Sequence, residues 1–272
     1  MPRVVPIHAA LLMLGATGCR QTTCSGGETQ CYEVDRGRYL ALEPEQTNED
    51  GSMGLLVYFH GWNSSAENYA QKDWLSSGAS KRGYLLVLPD GMENTWAHEG
   101  SPSDARDELK FMDAVLQDVT TRWDISPVRA VAGFSQGASM AWDLACYRGD
   151  DYSAFIPASG AFWEPLPDGC ETPINLRHTH GTSDTVIPLQ GRSIGDAQQG
   201  DVHLGMSILR QANECAEEPD KTVSEGDCSC DVWDSCASGN ELRLCLHDGK
   251  HRLPNGYLDD ALIWVEEVSP TP

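Results

Sequence analysis

Positive charge is scarce in this sequence. Only 19 lysines and arginines stand against 41 aspartates and glutamates in 272 residues, a formal net charge of -22 at pH 7. A surface of that sign repels phosphate backbones and anionic headgroups, so nucleic acid and an anionic membrane face are excluded as partners. A bilayer-spanning run is missing as well. The apolar run inside residues 1–18 follows one basic residue, Arg3, and ends in small residues before Cys19. It is too short to cross a bilayer and has the layout of a cleaved export signal. Small residues directly before Cys19 resemble a bacterial lipobox, in which that cysteine would carry the lipid. The expectation is therefore a secreted protein or a cell-envelope lipoprotein, touching membrane only through such an anchor. Zinc spacing is the third absence. No Cys-x-x-Cys or His-x-x-x-His is matched by a second, and Cys228-Ser-Cys230 alone is a poor metal site, so neither a metal nor another cofactor is expected. In an exported chain the ten cysteines read as disulfides.

The length and the 40% hydrophobic content suit one large domain, placed at residues 24–268. Alternating residues in 24–44 predict one or two edge strands turning at Arg36-Gly37. Apolar strands are expected over 54–59, 84–88, 128–132, 154–158, 174–180 and 241–246. Helical periodicity covers 66–79, 104–123 with Asp104 as N-cap, 138–147, 203–214 and 257–268. A cysteine-rich insertion occupies about 215–240. Strands alternating with helices require an α/β fold, a mainly parallel central sheet with helices on both faces. Ligands in such sheets bind beyond the carboxyl ends of the strands.

One stretch organises the rest. Residues 128–142, VRAVAGFSQGASMAW, read as a buried strand, a serine between glycines, and a helix start. A serine hydroxyl is a weak nucleophile until it is lifted from the backbone toward a base and a set of amide donors, and a tight strand-to-helix turn does this. Ser135 is the candidate nucleophile. Asp184, in the turn after the strand at 174–180, is the candidate acid, and His251, just beyond the last strand, the candidate base. His247 is held in reserve, because His178 and His180 lie within a strand and His98 on a flexible loop before the nucleophile. The oxyanion needs two preorganised donors, assigned to the N–H groups of Gln136 and Trp62. His60 reads as a structural hydrogen bonder. Trp62, Trp96 and Trp163 each follow the carboxyl end of a strand and are expected to form one aromatic, substrate-binding cleft. Cys146 and Cys170 flank the same region and are expected to be bridged. Cys215, Cys228, Cys230, Cys236 and Cys245 are odd in number, which implies two bridges and one thiol.

Five segments carry a family likeness: YFHG at 58–61, PDG at 89–91, GFSQG at 133–137, HGTSDTVIP at 180–188 and GKHRLP at 249–254. Together they resemble the secreted feruloyl esterase and polyhydroxybutyrate depolymerase-like branch of the α/β-hydrolases. The resemblance implies the α/β-hydrolase fold, Asp184 as triad acid and an ester substrate, either plant cell-wall hydroxycinnamate esters or a polyester. The family's Gly-His-x-Trp-Pro stands here as Lys250-His251-Arg252-Leu253-Pro254, a departure that bears on substrate preference. A serine esterase is the expected activity. A peptidase or acyltransferase shares fold and triad and differs in pocket shape. A non-catalytic cell-surface binding protein is opposed by the occupation of all three triad positions, and an active-site serine probe separates it from an enzyme.

Overall fold

The computed structural model describes residues 22–23 and 30–269. The expected export signal and the lipidation expected at Cys19 lie outside the described residues. Thr22–Thr23 (β1), Gln30–Val34 (β2) and Gly37–Leu42 (β3) pair antiparallel in sequence, with Arg36 at φ 72° making the tight turn. Met53–Phe59 (β4), Tyr84–Pro89 (β5), Ile125–Phe134 (β6), Ala154–Ala158 (β7) and Leu176–Gly181 (β8) follow. A separate small hairpin joins Arg192–Ile194 (β9) to Ala197–Gln199 (β10). Lys221–Glu225 (β11), Cys228–Trp233 (β12) and Leu242–His247 (β13) complete the strands. The main sheet runs β1-β2-β3-β5-β4-β6-β7-β8-β13-β12-β11. Its centre, from β5 to β13, is parallel, and both margins are antiparallel.

Side-chain alternation explains the two layers of helix. Leu55, Val57, Phe59, Leu85, Val87 and Val131 enter one core, while Leu56, Tyr58, Leu86, Leu88, Ala130 and Ala132 enter the other. Strands apolar on both sides need cover on both sides. Ala66–Ala70 (α1) and Asp73–Lys81 (α2) cover the second face. Glu108–Arg122 (α3), Gln136–Tyr147 (α4) and Val202–Ala212 (α5) cover the first. Tyr257–Val268 (α6) returns to the second through Leu258, Ala261, Leu262 and Val265. Among the described residues no helix is long and apolar enough to cross a membrane.

Several expected elements are corrected. The helix expected over 66–79 is two helices, because Tyr69 and Leu75 are six residues apart, which at about 3.6 residues per turn would put them on different faces. A break at Gln71 and Lys72 lets both turn inward. The third helix is capped by Asp107, whose carboxylate accepts from Lys110 N at 3.1 Å, and not by Asp104. The cysteine-rich insertion, for which no element was expected, contributes β11 and β12, which extend the sheet from its edge. A partly buried ion network anchors it there: Arg177, 1% exposed, donates to Glu225 Oε2 at 3.1 Å, and Arg243 bonds Glu225 Oε1.

Disulfides join Cys146 to Cys170, Cys215 to Cys236 and Cys230 to Cys245, and Cys228 is a buried free thiol. The late group therefore divides into two bridges and one thiol, as its odd number required. Cys146 and Cys170 are 24 residues apart and tie α4 to the loop after β7. Replacing both by alanine is expected to cost about 3 kcal/mol from loop-closure entropy. A guanidinium unfolding midpoint unchanged from wild type would contradict this.

Candidate active site

The strand-to-helix turn is built by close backbone approach. A Cβ on Gly133 would stand 2.2 Å from the carbonyl oxygen of Gly137, and one on Gly137 would stand 2.2 Å from that of Phe59. Neither position admits a side chain. Between them Ser135 is held at φ 60°, ψ -127°, a conformation L-residues avoid, and its N–H is fixed by the carbonyl of Ala158 at 3.0 Å.

Ser135 Oγ lies 2.9 Å from His251 Nε2, and His251 Nδ1 lies 2.6 Å from Asp184 Oδ2. The other carboxylate oxygen of Asp184 accepts from the amides of Val186 at 2.8 Å and Ile187 at 2.9 Å. Burial by itself raises the Asp184 pKa, but the His251 hydrogen bond, the two amides and the His251 charge together outweigh it and hold the carboxyl below its usual range. An ionised Asp184 keeps the proton on Nδ1, which leaves Nε2 free to accept from the serine. The three residues thus meet from β6, from the turn after β8 and from the loop after β13.

The remaining histidines have other partners. His247 is buried, accepts from the Gly249 N–H at 2.9 Å and is pushed down in pKa by burial. His60 accepts from Gly91 N–H at 3.0 Å and bonds the Gly61 carbonyl at 2.9 Å, the structural role expected of it. His178 and His180 form a buried chain: Trp142 Nε1 donates to His178 Nδ1 at 3.2 Å, His178 Nε2 meets His180 Nδ1 at 2.9 Å, and His180 Nε2 meets the Ile187 carbonyl at 2.8 Å. Because the indole can only donate, every proton in this chain is assigned, and burial keeps both imidazoles neutral. His98 is not on a flexible loop. It is 5% exposed and bonds Asp143 of α4 at 2.7 Å.

Gln136 N–H and Trp62 N–H have no acceptor among the described residues, and both residues border the cleft at Ser135. The Gln136 side chain is locked to Thr95 Oγ1 at 2.8 Å, and Asn63 N–H bonds the Asn94 carbonyl at 2.9 Å, so one loop braces both donors. The cleft has a volume of about 950 Å³. Trp62, 70% exposed, and Trp163 line it. Trp96 does not, which corrects the expected three-tryptophan cleft. It is fully buried, donates its indole N–H to the His60 carbonyl at 2.8 Å and packs 4.7 Å from the His60 ring. Satisfying that N–H inside is what folds the loop back on the sheet. Two features had no local signature in the sequence. The β9–β10 hairpin supplies Arg192, Ile194 and Gln199 to the wall, and a buried Arg106–Glu108 ion pair at 2.7 Å supports the loop behind it.

No family model matches the chain. Feruloyl esterase D of Neurospora crassa is 23% identical over 252 residues, covering 87% of this chain and 82% of the relative. Feruloyl esterase C of Emericella nidulans is 26% identical over 193 residues, covering 68% and 67%. Among solved structures, the acetyl xylan esterase from Aspergillus awamori superposes with a TM-score of 0.63 at 12% identity over 85% of this chain and 94% of that one, a likeness of fold.

The burial of Trp96 generates a prediction. Trp96→Ala removes a large core side chain and is expected to destabilise the protein by about 3–5 kcal/mol. Thermal denaturation checks it, and a melting point within about 2 °C of wild type would contradict the structural role assigned here.

Proposed function

We propose that this chain, an α/β-hydrolase of the feruloyl esterase-like family and a carboxylic-ester hydrolase, cleaves its ester through an acyl-enzyme formed on Ser135. The observation that carries the reading is the unbroken hydrogen-bond line from Asp184 through His251 to Ser135, opening on the cleft. In the first half-reaction Ser135 Oγ attacks the ester carbonyl carbon while its proton passes to His251 Nε2. The imidazolium is stabilised by ionised Asp184. Charge gathers on the carbonyl oxygen, toward the amides of Gln136 and Trp62. Collapse breaks the bond to the alcohol, which leaves with the proton from His251. Water, deprotonated by the same imidazole, then attacks the acyl-enzyme and releases the carboxylic acid and Ser135.

An aromatic acyl group is the substrate class that the cleft favours. Trp62, Trp163, Phe134, Val186, Ile187 and Ile194 offer an apolar and partly aromatic lining, and feruloyl esterases are among the relatives. A planar ring against indole contributes about 0.5–1.5 kcal/mol beyond its burial. The reading includes export, supported by the disulfides, which persist in oxidising compartments.

Two outcomes follow. Ser135→Ala is expected to stay folded, to lose labelling by a fluorophosphonate and to lose turnover on the order of a millionfold, with His251→Ala similarly silent. Residual turnover within about tenfold of wild type would overturn the triad. Methyl ferulate is expected to give a higher kcat/KM than a 3-hydroxybutyrate oligomer, and Trp163→Ala to narrow the difference. A preference for the aliphatic oligomer would leave the triad intact and make a polyester the substrate.

A further inference from the structure

We propose that Tyr69 is a further catalytic residue, its phenol hydroxyl donating a third hydrogen bond to the oxyanion. The proposal rests on the acyl-enzyme reading of Ser135. Tyr69 lies in α1, the short helix that follows the oxyanion loop, and Ser65 caps that helix by accepting from Asn68 N–H at 3.3 Å. Asp90 also accepts from Ala66 N–H at 3.1 Å, which pins the helix to the end of β5. The ring itself is clamped. It packs 5.3 Å from the Tyr58 ring and 6.5 Å from the His60 ring, with the Lys72 ammonium 5.1 Å from its centroid, and the residue is only 7% exposed. A side chain so held presents its oxygen at a fixed point without ordering cost during the reaction.

That point is on the active cleft. Tyr69 shares its wall with Gly61, Trp62, Ser135, Gln136 and His251. A Cβ placed on Gly61 would stand 3.5 Å from Ser135 Cβ and 3.8 Å from Tyr69 Oη, so the hydroxyl and the nucleophile border the same small space, kept open by the glycine. Other tyrosine hydroxyls are committed elsewhere: Tyr39 donates to Asp118 at 2.7 Å and Tyr257 to the Ile156 carbonyl. Those of Tyr58 and Tyr84 are sealed inside the core. The Tyr69 proton has no acceptor among the described residues. Burial raises its pKa against the opposing pull of the Gly61 amide, so the group enters the reaction protonated, as a donor.

A neutral carbonyl oxygen is a modest acceptor, whereas the tetrahedral oxyanion carries a full charge. A preplaced donor therefore strengthens its bond as the transition state forms, which raises kcat and leaves ground-state binding nearly untouched. Tyr69→Phe deletes only the oxygen and preserves the clamped ring. The expected result is a fall in kcat of about a hundredfold with KM within about twofold of wild type. Phenylboronic acid, which forms an anionic tetrahedral adduct on Ser135, should bind about a hundredfold more weakly, while ferulate, a planar product, binds as before. Unchanged kcat and unchanged boronate affinity would overturn the proposal, as would a rise in KM at constant kcat, which marks ground-state binding alone. Ser135→Ala measured beside it keeps the two readings apart. If that variant turns over, the acyl-enzyme reading fails, and if it is silent while Tyr69→Phe is unimpaired, only the role of Tyr69 fails.

Discussion

The meeting of Ser135, His251 and Asp184 depends on how closely three stretches of backbone approach one another at Gly133 and Gly137. Phe59 at the end of β4, the end of β6 and the first turn of α4 come within a distance that leaves no room for a Cβ. This contact forces Ser135 to positive φ, and the strain is offset by the extensive packing of α4 across β4, β6 and β7. Ten of the twelve residues of α4 are buried, so the helix cannot shift to relieve the turn. Ser135 is thereby presented at the carboxyl edge of the sheet, where the loops after β4, β8 and β13 converge.

Two buried polar assemblies stabilise the loops on either side of the serine. Behind the loop at Gly61 and Trp62, His60, Gly91, Trp96 and the Arg106–Glu108 pair are bonded together. Burial raises the Glu108 pKa, and the Arg106 guanidinium opposes that rise most strongly. Behind Asp184, Trp142, His178 and His180 form a chain whose last member bonds the carbonyl of Ile187, beside the two amides that hold the carboxylate. Hydrogen bonds in such low-dielectric surroundings are rigid when every partner is present and costly when one is lost. Both assemblies connect core to loop, which explains how loop residues keep a fixed geometry on an otherwise apolar scaffold.

The sheet margins serve a different purpose. β11 and β12 cover the exposed edge of β13, the strand that leads to His251. The Cys230–Cys245 bridge and the Arg177–Glu225–Arg243 network fasten them there. An uncovered parallel edge would leave unpaired backbone groups beside the loop that carries His251. The cysteine-rich insertion therefore steadies the position of His251 from behind.

Local chemistry settled a good deal in advance. Continuous apolar runs alternating with amphipathic helices allow few architectures other than a parallel sheet covered on both faces. The strand-glycine-serine-glycine-helix pattern marks Ser135 because only glycine tolerates that approach. Chain order placed Asp184 and His251 after it, although their meeting with Ser135 is a property of the folded chain. What the linear pattern could not convey was side-chain direction. Trp62 and Trp96 look alike in sequence, each an indole just past a strand end. One is 70% exposed on the cleft, the other buried against His60, because only the latter finds an acceptor for its N–H inside. The β9–β10 hairpin lacked apolar periodicity; in β12 Cys228, Cys230 and Val232 do alternate inward, but the place of that strand in the sheet is fixed by pairing, an ion network and a cystine to Cys245. Tyr69 was silent for the same reason. Sequence places it in a helix expected over 66–79, where a buried tyrosine is ordinary. Its neighbour across the cleft, Ser135, is 66 residues away in the chain, and only tertiary packing brings the two side chains to one space.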